Sequence, residues 1–131
     1  MSVSDHASRE VFTLPGVRHQ TLASYSDGLD RLEIWMQTLE PGAATPVHYH
    51  ECEEVIVIQK GSGRATVAGD TVDFGPGTTL VIPPRVVHQL VNVGREEMFA
   101  IAALSETPAR AFASDGTLIA LAWQLPSRSL A

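Results

Sequence analysis

The chain has 131 residues, of which 44% are hydrophobic and 18% charged, a length that suits one domain with a core needing no disulfide staples. Nine Lys and Arg against fifteen Asp and Glu leave a formal charge of -6, which offers nucleic-acid phosphates and anionic membrane surfaces no electrostatic footprint. Cys52 is the single cysteine, so no intramolecular disulfide forms and a reducing compartment fits. No cationic stretch leads into an apolar run near the start, the apolar run 98–104 is too short to cross a bilayer, and Asn92 opens no glycosylation sequon. The expectation is a soluble cytoplasmic protein.

Ten Gly and eight Pro cut the chain into short pieces, and few intervals could hold a long helix. Residues 1–9 are polar and read as a loose arm. Residues 11–14 read as a short strand ended by Pro15-Gly16. Residues 32–39 make a better one, with Leu32, Ile34 and Met36 alternating with Glu33, Trp35 and Gln37. After the turn at Pro41-Gly42, strands are expected at 47–50, 54–59, 64–67, 71–74, 78–82, 87–93 and 98–104. Residues 108–113 could form one helical turn, and 117–125 a closing strand or a short helix. Closely spaced turns between β-branched segments predict an all-β sandwich or barrel, a single domain over 1–131 with its core at 32–104. His6 and His19 read as solvent-facing.

One constellation carries chemistry. Gly42 is followed after five residues by His48-Tyr49-His50, then Glu54, then Gly61. Residues two apart on a strand share a face, with Cα atoms about 6.5–7 Å apart, so two imidazoles so placed converge. Three residues further, a returning strand brings a carboxylate, and His88 supplies a third imidazole from across the barrel. Three nitrogens and one carboxylate suit one divalent ion such as Zn, Fe, Mn, Ni or Co. Such a set leaves a position open for a substrate. Residues 55–58 are apolar on both faces, so strand parity leaves Glu53 and Glu54 both open as the carboxylate. Arg85, the cation nearest a ligand in sequence, could hold an anionic substrate by a bidentate contact.

These residues and spacings resemble the cupins. The run from Gly42 through His48, His50 and Glu54 to Gly61 matches the first cupin motif, and Gly77, Pro83, His88 and Asn92 match the second, with Arg85 standing where that family has Gly. The resemblance implies a double-stranded β-helix, or jelly-roll barrel, with a short C-terminal helix or strand. Within the cupins, Glu33-Ile34-Trp35-Met36-Gln37-Thr38, Pro41-Gly42, Thr45-Pro46-Val47-His48-Tyr49-His50 and Lys60-Gly61-Ser62-Gly63 are similar to the auxin-binding proteins of plants. That similarity implies His48, His50, Glu54 and His88 as zinc ligands and picks Glu54 over Glu53. It places Gln37 and Thr45 beside a ligand carboxylate, Trp35 and Pro46 in its apolar wall, and Trp123 over its ring.

Two functions follow as expectations. The first is a binding protein that holds a small carboxylate, aromatic ones included, at a divalent metal inside the barrel. The alternative is a metal-dependent enzyme (dioxygenase, lyase, isomerase or decarboxylase) acting on a small organic acid. The sequence offers Tyr49, Cys52 and Glu53 near the motif as acid–base groups, and Cys52 reads as a packing residue. A homodimer is expected, with edge strands and the N-terminal segment covered.

Overall fold

The computed structural model describes residues 1–124. Strands β1 (Phe12–Leu14), β2 (Val17–Ala23), β3 (Glu33–Leu39), β4 (Glu54–Lys60), β5 (Gly63–Val67) and β6 (Asp70–Phe74) are followed by β7 (Thr78–Ile82), β8 (His88–Val91), β9 (Met98–Leu104), β10 (Ala111–Phe112) and β11 (Leu118–Ile119). The helical content of the described residues is three single 3-10 turns, His6–Ser8, Tyr25–Asp27 and Ala122–Gln124. A six-stranded sheet runs β1-β2-β3-β9-β4-β7, a three-stranded sheet β6-β5-β8, and β10 pairs with β11. Every pairing is antiparallel. This is the all-β architecture expected from the turn spacing and the jelly-roll barrel that the cupin resemblance implies.

The register explains where the hollow lies. Glu33, Leu104 and Glu54 form one row across β3, β9 and β4, followed by Trp35, Ala102 and Ile56, then Gln37, Ala100 and Ile58. Alternate residues face inward, and the burial of β9 alternates strictly from Met98 to Leu104. Its ends are large and fully buried, whereas its middle is Ala100 and Ala102. Two small side chains at the centre of a sheet leave space that Leu or Ile would fill.

Several elements differ from the sequence reading. β2 lies where no strand was expected, because its inward residues include His19 and its pattern is polar. β3 is turned the other way: Glu33, Trp35 and Leu39 are buried, while Leu32 is exposed and Ile34 and Met36 are half-buried. Residues 47–50 are not a regular strand. Their backbone makes single bridges to two different partners, His48 to His88 and Tyr49 to Phe112, as alternate residues of one extended segment bond to opposite edges. Residues 108–113 hold the short strand β10 and no helical turn, because Phe112 exchanges both backbone bonds with Tyr49 at 2.9 Å. Residues 117–124 hold both the strand and the short helix, β11 and the last 3-10 turn, and residue 125 lies outside the described residues. Residues 1–8 are exposed, and Arg9 closes that arm through paired 3.0 Å bonds to Asp27.

Two residues of the motifs serve the frame. Gly61 (φ +82°) lies so close to β9 that a Cβ would stand 2.8 Å from Met98 Cα and 2.9 Å from Glu97 O. Asn92, 1% exposed, donates to the Leu39 and Glu96 carbonyls at 2.9 and 2.8 Å and accepts from Gly94 N at 2.9 Å. Asn92→Ala should lower the unfolding free energy by about 2–3 kcal/mol, since buried backbone groups lose their partners. Urea unfolding should show a lower midpoint with an unchanged slope.

Candidate metal-binding site

Three segments build the cluster. His48 and His50 come from the bridging segment before β4, Glu54 opens β4, and His88 opens β8. One ligand atom from each lies within 4.8 Å of all the others. Glu54 Oε1 stands 3.1 Å from His88 Nε2 and 3.4 Å from His50 Nε2. His50, Glu54 and His88 are buried and His48 is half-buried. The parity of β4 distinguishes the two carboxylates: Glu54, Ile56 and Ile58 point inward, and Glu53 is exposed.

The orientation of each imidazole is set by a backbone carbonyl. His48 Nδ1 lies 2.6 Å from Pro46 O, His50 Nδ1 2.7 Å from Arg110 O, and His88 Nδ1 2.9 Å from Val86 O. A carbonyl only accepts, so Nδ1 carries a hydrogen and Nε2 of each ring, a lone pair whenever the ring is neutral, faces the cluster. His50 Nε2 is a buried nitrogen without a hydrogen-bond partner. Three nitrogen lone pairs and a carboxylate oxygen facing one point repel one another unless a cation lies between them. The donor set, N₃O with Nδ1 held from behind, fits a divalent ion.

Burial, helped by His88 and His50, pulls His48 down to about 4. At His88 burial lowers the pKa, but the hydrogen bond and charge of Glu54 outweigh it and the net direction is up. Burial raises Glu54, and His88 with the other two imidazoles more than reverses this.

The cluster opens into a cavity of about 520 Å³ whose lining is mostly apolar. Trp35, Gln37, Thr45, Pro46 and Trp123 all line it. Two of them are committed elsewhere. The Thr45 hydroxyl accepts from Leu90 N at 3.0 Å and donates to Pro46 O at 3.3 Å, and Gln37 Nε2 donates to His19 Nδ1 at 2.9 Å. Arg85, expected at the ligand, does not line the cavity and its side chain is exposed. It takes the left-handed φ of +62° that glycine adopts readily, and its backbone N donates to His50 O at 2.7 Å. Of the expected acid–base groups, Tyr49 stacks on Phe112 and Glu53 is exposed. Burial, then Glu106, pushes the Cys52 thiol up to about 11. None of the three lines the cavity. Among the described residues, the four cluster side chains are the only ionisable ones that do.

His19 overturns its sequence reading. It is fully buried, stacked on Trp123 with ring centroids 3.5 Å apart at 10°, and edge-on to Trp35 at 5.1 Å. Only the recognition of β2, with Val17 and His19 two apart, would have turned it inward.

Comparison with known proteins places the chain. The family described as auxin binding protein matches residues 2–127. Auxin-binding protein 1 of Arabidopsis thaliana is 38% identical over 108 residues, which cover 75% of this chain and 54% of that protein; the chain thus spans about half the length of this relative. Among solved structures, a mutant oxalate decarboxylase of Bacillus subtilis has a TM-score of 0.75 at 19% identity, over 82% of this chain and 30% of that one. A sugar phosphate isomerase of the cupin superfamily from Silicibacter pomeroyi has a TM-score of 0.70 at 23% identity, over 87% and 82%. These likenesses show the cupin jelly-roll fold.

Burial of His19 generates an acid-stability prediction. Its folded pKa is lowered from 6.5 to about 3, so below pH 6.5 the unfolded chain takes up a proton that the native chain refuses. Stability is present above the unfolded value and lost as the pH falls toward the folded one, with a slope approaching about 1.4 kcal/mol per pH unit from this group. His19→Phe should flatten the fall in urea midpoint between neutral pH and pH 4 relative to the parent. An equally steep fall would contradict this assignment.

Proposed function

The chain belongs to the auxin-binding protein family, and from that premise we propose that it is a binding protein which holds one divalent metal ion, zinc first, on His48, His50, Glu54 and His88. At that ion it binds a small aromatic carboxylate. The observation that carries the reading is the convergence of four donor atoms within 4.8 Å, with three imidazoles held by backbone carbonyls. A bound divalent ion would supply the positive charge that attracts a carboxylate into this site. The chain's own residues do the rest. Trp35 and Trp123 offer flat apolar walls to a ring, and Ala100 and Ala102 leave it room. The volume falls in the range typical of small-molecule sites.

Binding is favoured over acid–base catalysis by the lining itself. Beyond the cluster, no described side chain that lines the cavity could give or take a proton at neutral pH. An enzyme built here would have to draw its proton transfers from the cluster or the substrate. Turnover of an aromatic acid, seen as a changed mass after many equivalents, would move the reading to the enzyme class.

The test starts with elemental analysis of untagged protein purified without chelator or added metal. Near-stoichiometric zinc is expected. His48→Ala should weaken zinc affinity by more than about 100-fold, since changes behind a ligand alone cost 10–100-fold. Affinity for indole-3-acetate, measured by calorimetry, should fall with it. Protein that takes up no metal after reloading, or a metal-free variant that still binds the acid, would refute the proposal.

A further inference from the structure

Glu33 is fully buried at the start of β3, and the cluster makes no use of it. Its Oε2 accepts from Trp35 Nε1 at 2.5 Å and from Gln124 Nε2 at 2.7 Å. Its Oε1 accepts from Thr107 Oγ1 at 2.8 Å and from Ala109 N at 3.3 Å. The four partners are neutral donors from three separate stretches: β3 itself, the loop after β9 and the C-terminal turn. Bonds to a carboxylate are the strong kind, and a buried carboxylate needs several of them.

Two of these bonds lead to the cavity. Trp35 lines it, and its ring stands edge-on to His50 with centroids 5.8 Å apart. Trp123, next in sequence to Gln124, lines it from the C-terminal turn and meets Trp35 edge-on at 5.4 Å. The indole nitrogen of Trp123 is buried and has no acceptor. No hydrogen bond of its own therefore fixes that ring. Its place comes from the stack on His19 and the tilted contact with Phe12, together with the neighbouring tie from Gln124 to Glu33.

We propose that Glu33 is the positioning residue of the aromatic walls, holding Trp35 directly and Trp123 through Gln124, and so sets how firmly a ring is gripped in the cavity. It does this without touching the metal cluster. For the ligand this rests on the binding function proposed above; for the walls it stands on the hydrogen bonds alone. An amide in place of the carboxylate turns an NH₂ toward one of the two donor pairs. Donor then faces donor, and one side of the hub must move.

Fluorine NMR tests this, because the chain has two tryptophans and 5-fluorotryptophan labelling gives one resonance for each. Trp35→Phe and Trp123→Phe assign the pair. In Glu33→Gln both resonances should shift or broaden, and in Gln124→Leu, which keeps the carboxylate, that of Trp123 should do so most. Zinc uptake should stay stoichiometric in both variants. Affinity of the zinc-loaded protein for indole-3-acetate should fall about tenfold in Glu33→Gln, the loss expected when a charge-assisted bond that shapes a site is broken. Should Glu33→Gln fail to fold, Gln124→Leu carries the test by the same two readouts. Unmoved indole resonances, or an unchanged affinity beside moved resonances, would overturn the proposal. If the parent protein takes up zinc but binds no indole-3-acetate, the ligand reading fails, and the resonances alone decide whether Glu33 positions the walls.

Discussion

Pro46, Val86 and Arg110 each turn a backbone carbonyl onto the Nδ1 of a histidine, and much of the surrounding hydrogen bonding keeps those carbonyls in place. An imidazole can rotate, and it can carry its proton on either nitrogen. Only the carbonyl behind it makes the lone pair point where the cluster needs it. The carbonyls belong to three segments, and each is tied to another. His48 and His88 exchange backbone bonds at 3.0 and 2.8 Å, Phe112 exchanges them with Tyr49, and Arg85 N caps the His50 carbonyl. Arg110 is further clamped from the surface by Glu106 and Glu51 at 2.7 and 3.1 Å. Those surface ion pairs add little stability by themselves. The Arg110 backbone N also donates to Glu106 Oε2 at 3.2 Å, on the residue whose carbonyl oxygen faces His50.

A hollow barrel needs its stability elsewhere. Leu39, Ile58, Met98 and Leu104 are fully buried, and they flank the small residues that make the cavity. Polar hubs complete the frame. Asn92 fastens the turn after β8 to the end of β3, and Glu33 fastens the C-terminal turn to the start of β3. The strand that carries Trp35 and Gln37 is thereby held at both ends, and these cavity-facing side chains sit between two fixed points.

The cluster was legible in the sequence because it is built locally. Histidines two apart, a glutamate four residues on, and a third histidine shortly before Asn92 are spacings that turns and strand parity dictate. Parity failed only between Glu53 and Glu54, where residues 55–58 are apolar on both faces. The rest was hidden because hydrophobicity was taken as the guide to what faces inward. In β3 the inward side carries Glu33 and Gln37, and Ile34 and Met36 lie on the other. In β2 a histidine is the deepest side chain. Beyond residue 104 the structure rests on partners far away in sequence: Phe112 on Tyr49, Gln124 on Glu33. No local pattern near residues 108–124 carries that information, so the strand β10 could pass for a turn of helix.

Charge links the two halves of the proposed function. Among the described residues, the cavity wall beyond the cluster bears no charged side chain, His19 is kept neutral by burial, and Arg85 faces outside. Glu54 is held below its usual range by the imidazoles around it, so its carboxylate is the anionic group of the cluster. An organic carboxylate entering such a space meets an anion and mostly apolar walls, which offset little of its desolvation. A divalent cation on the four donors would reverse the local sign and would attract the acid group. The apolar walls then act on the ring but cannot discriminate one anion from another. On this reading metal affinity and carboxylate affinity are coupled free energies rather than independent properties, and each should rise or fall with the other.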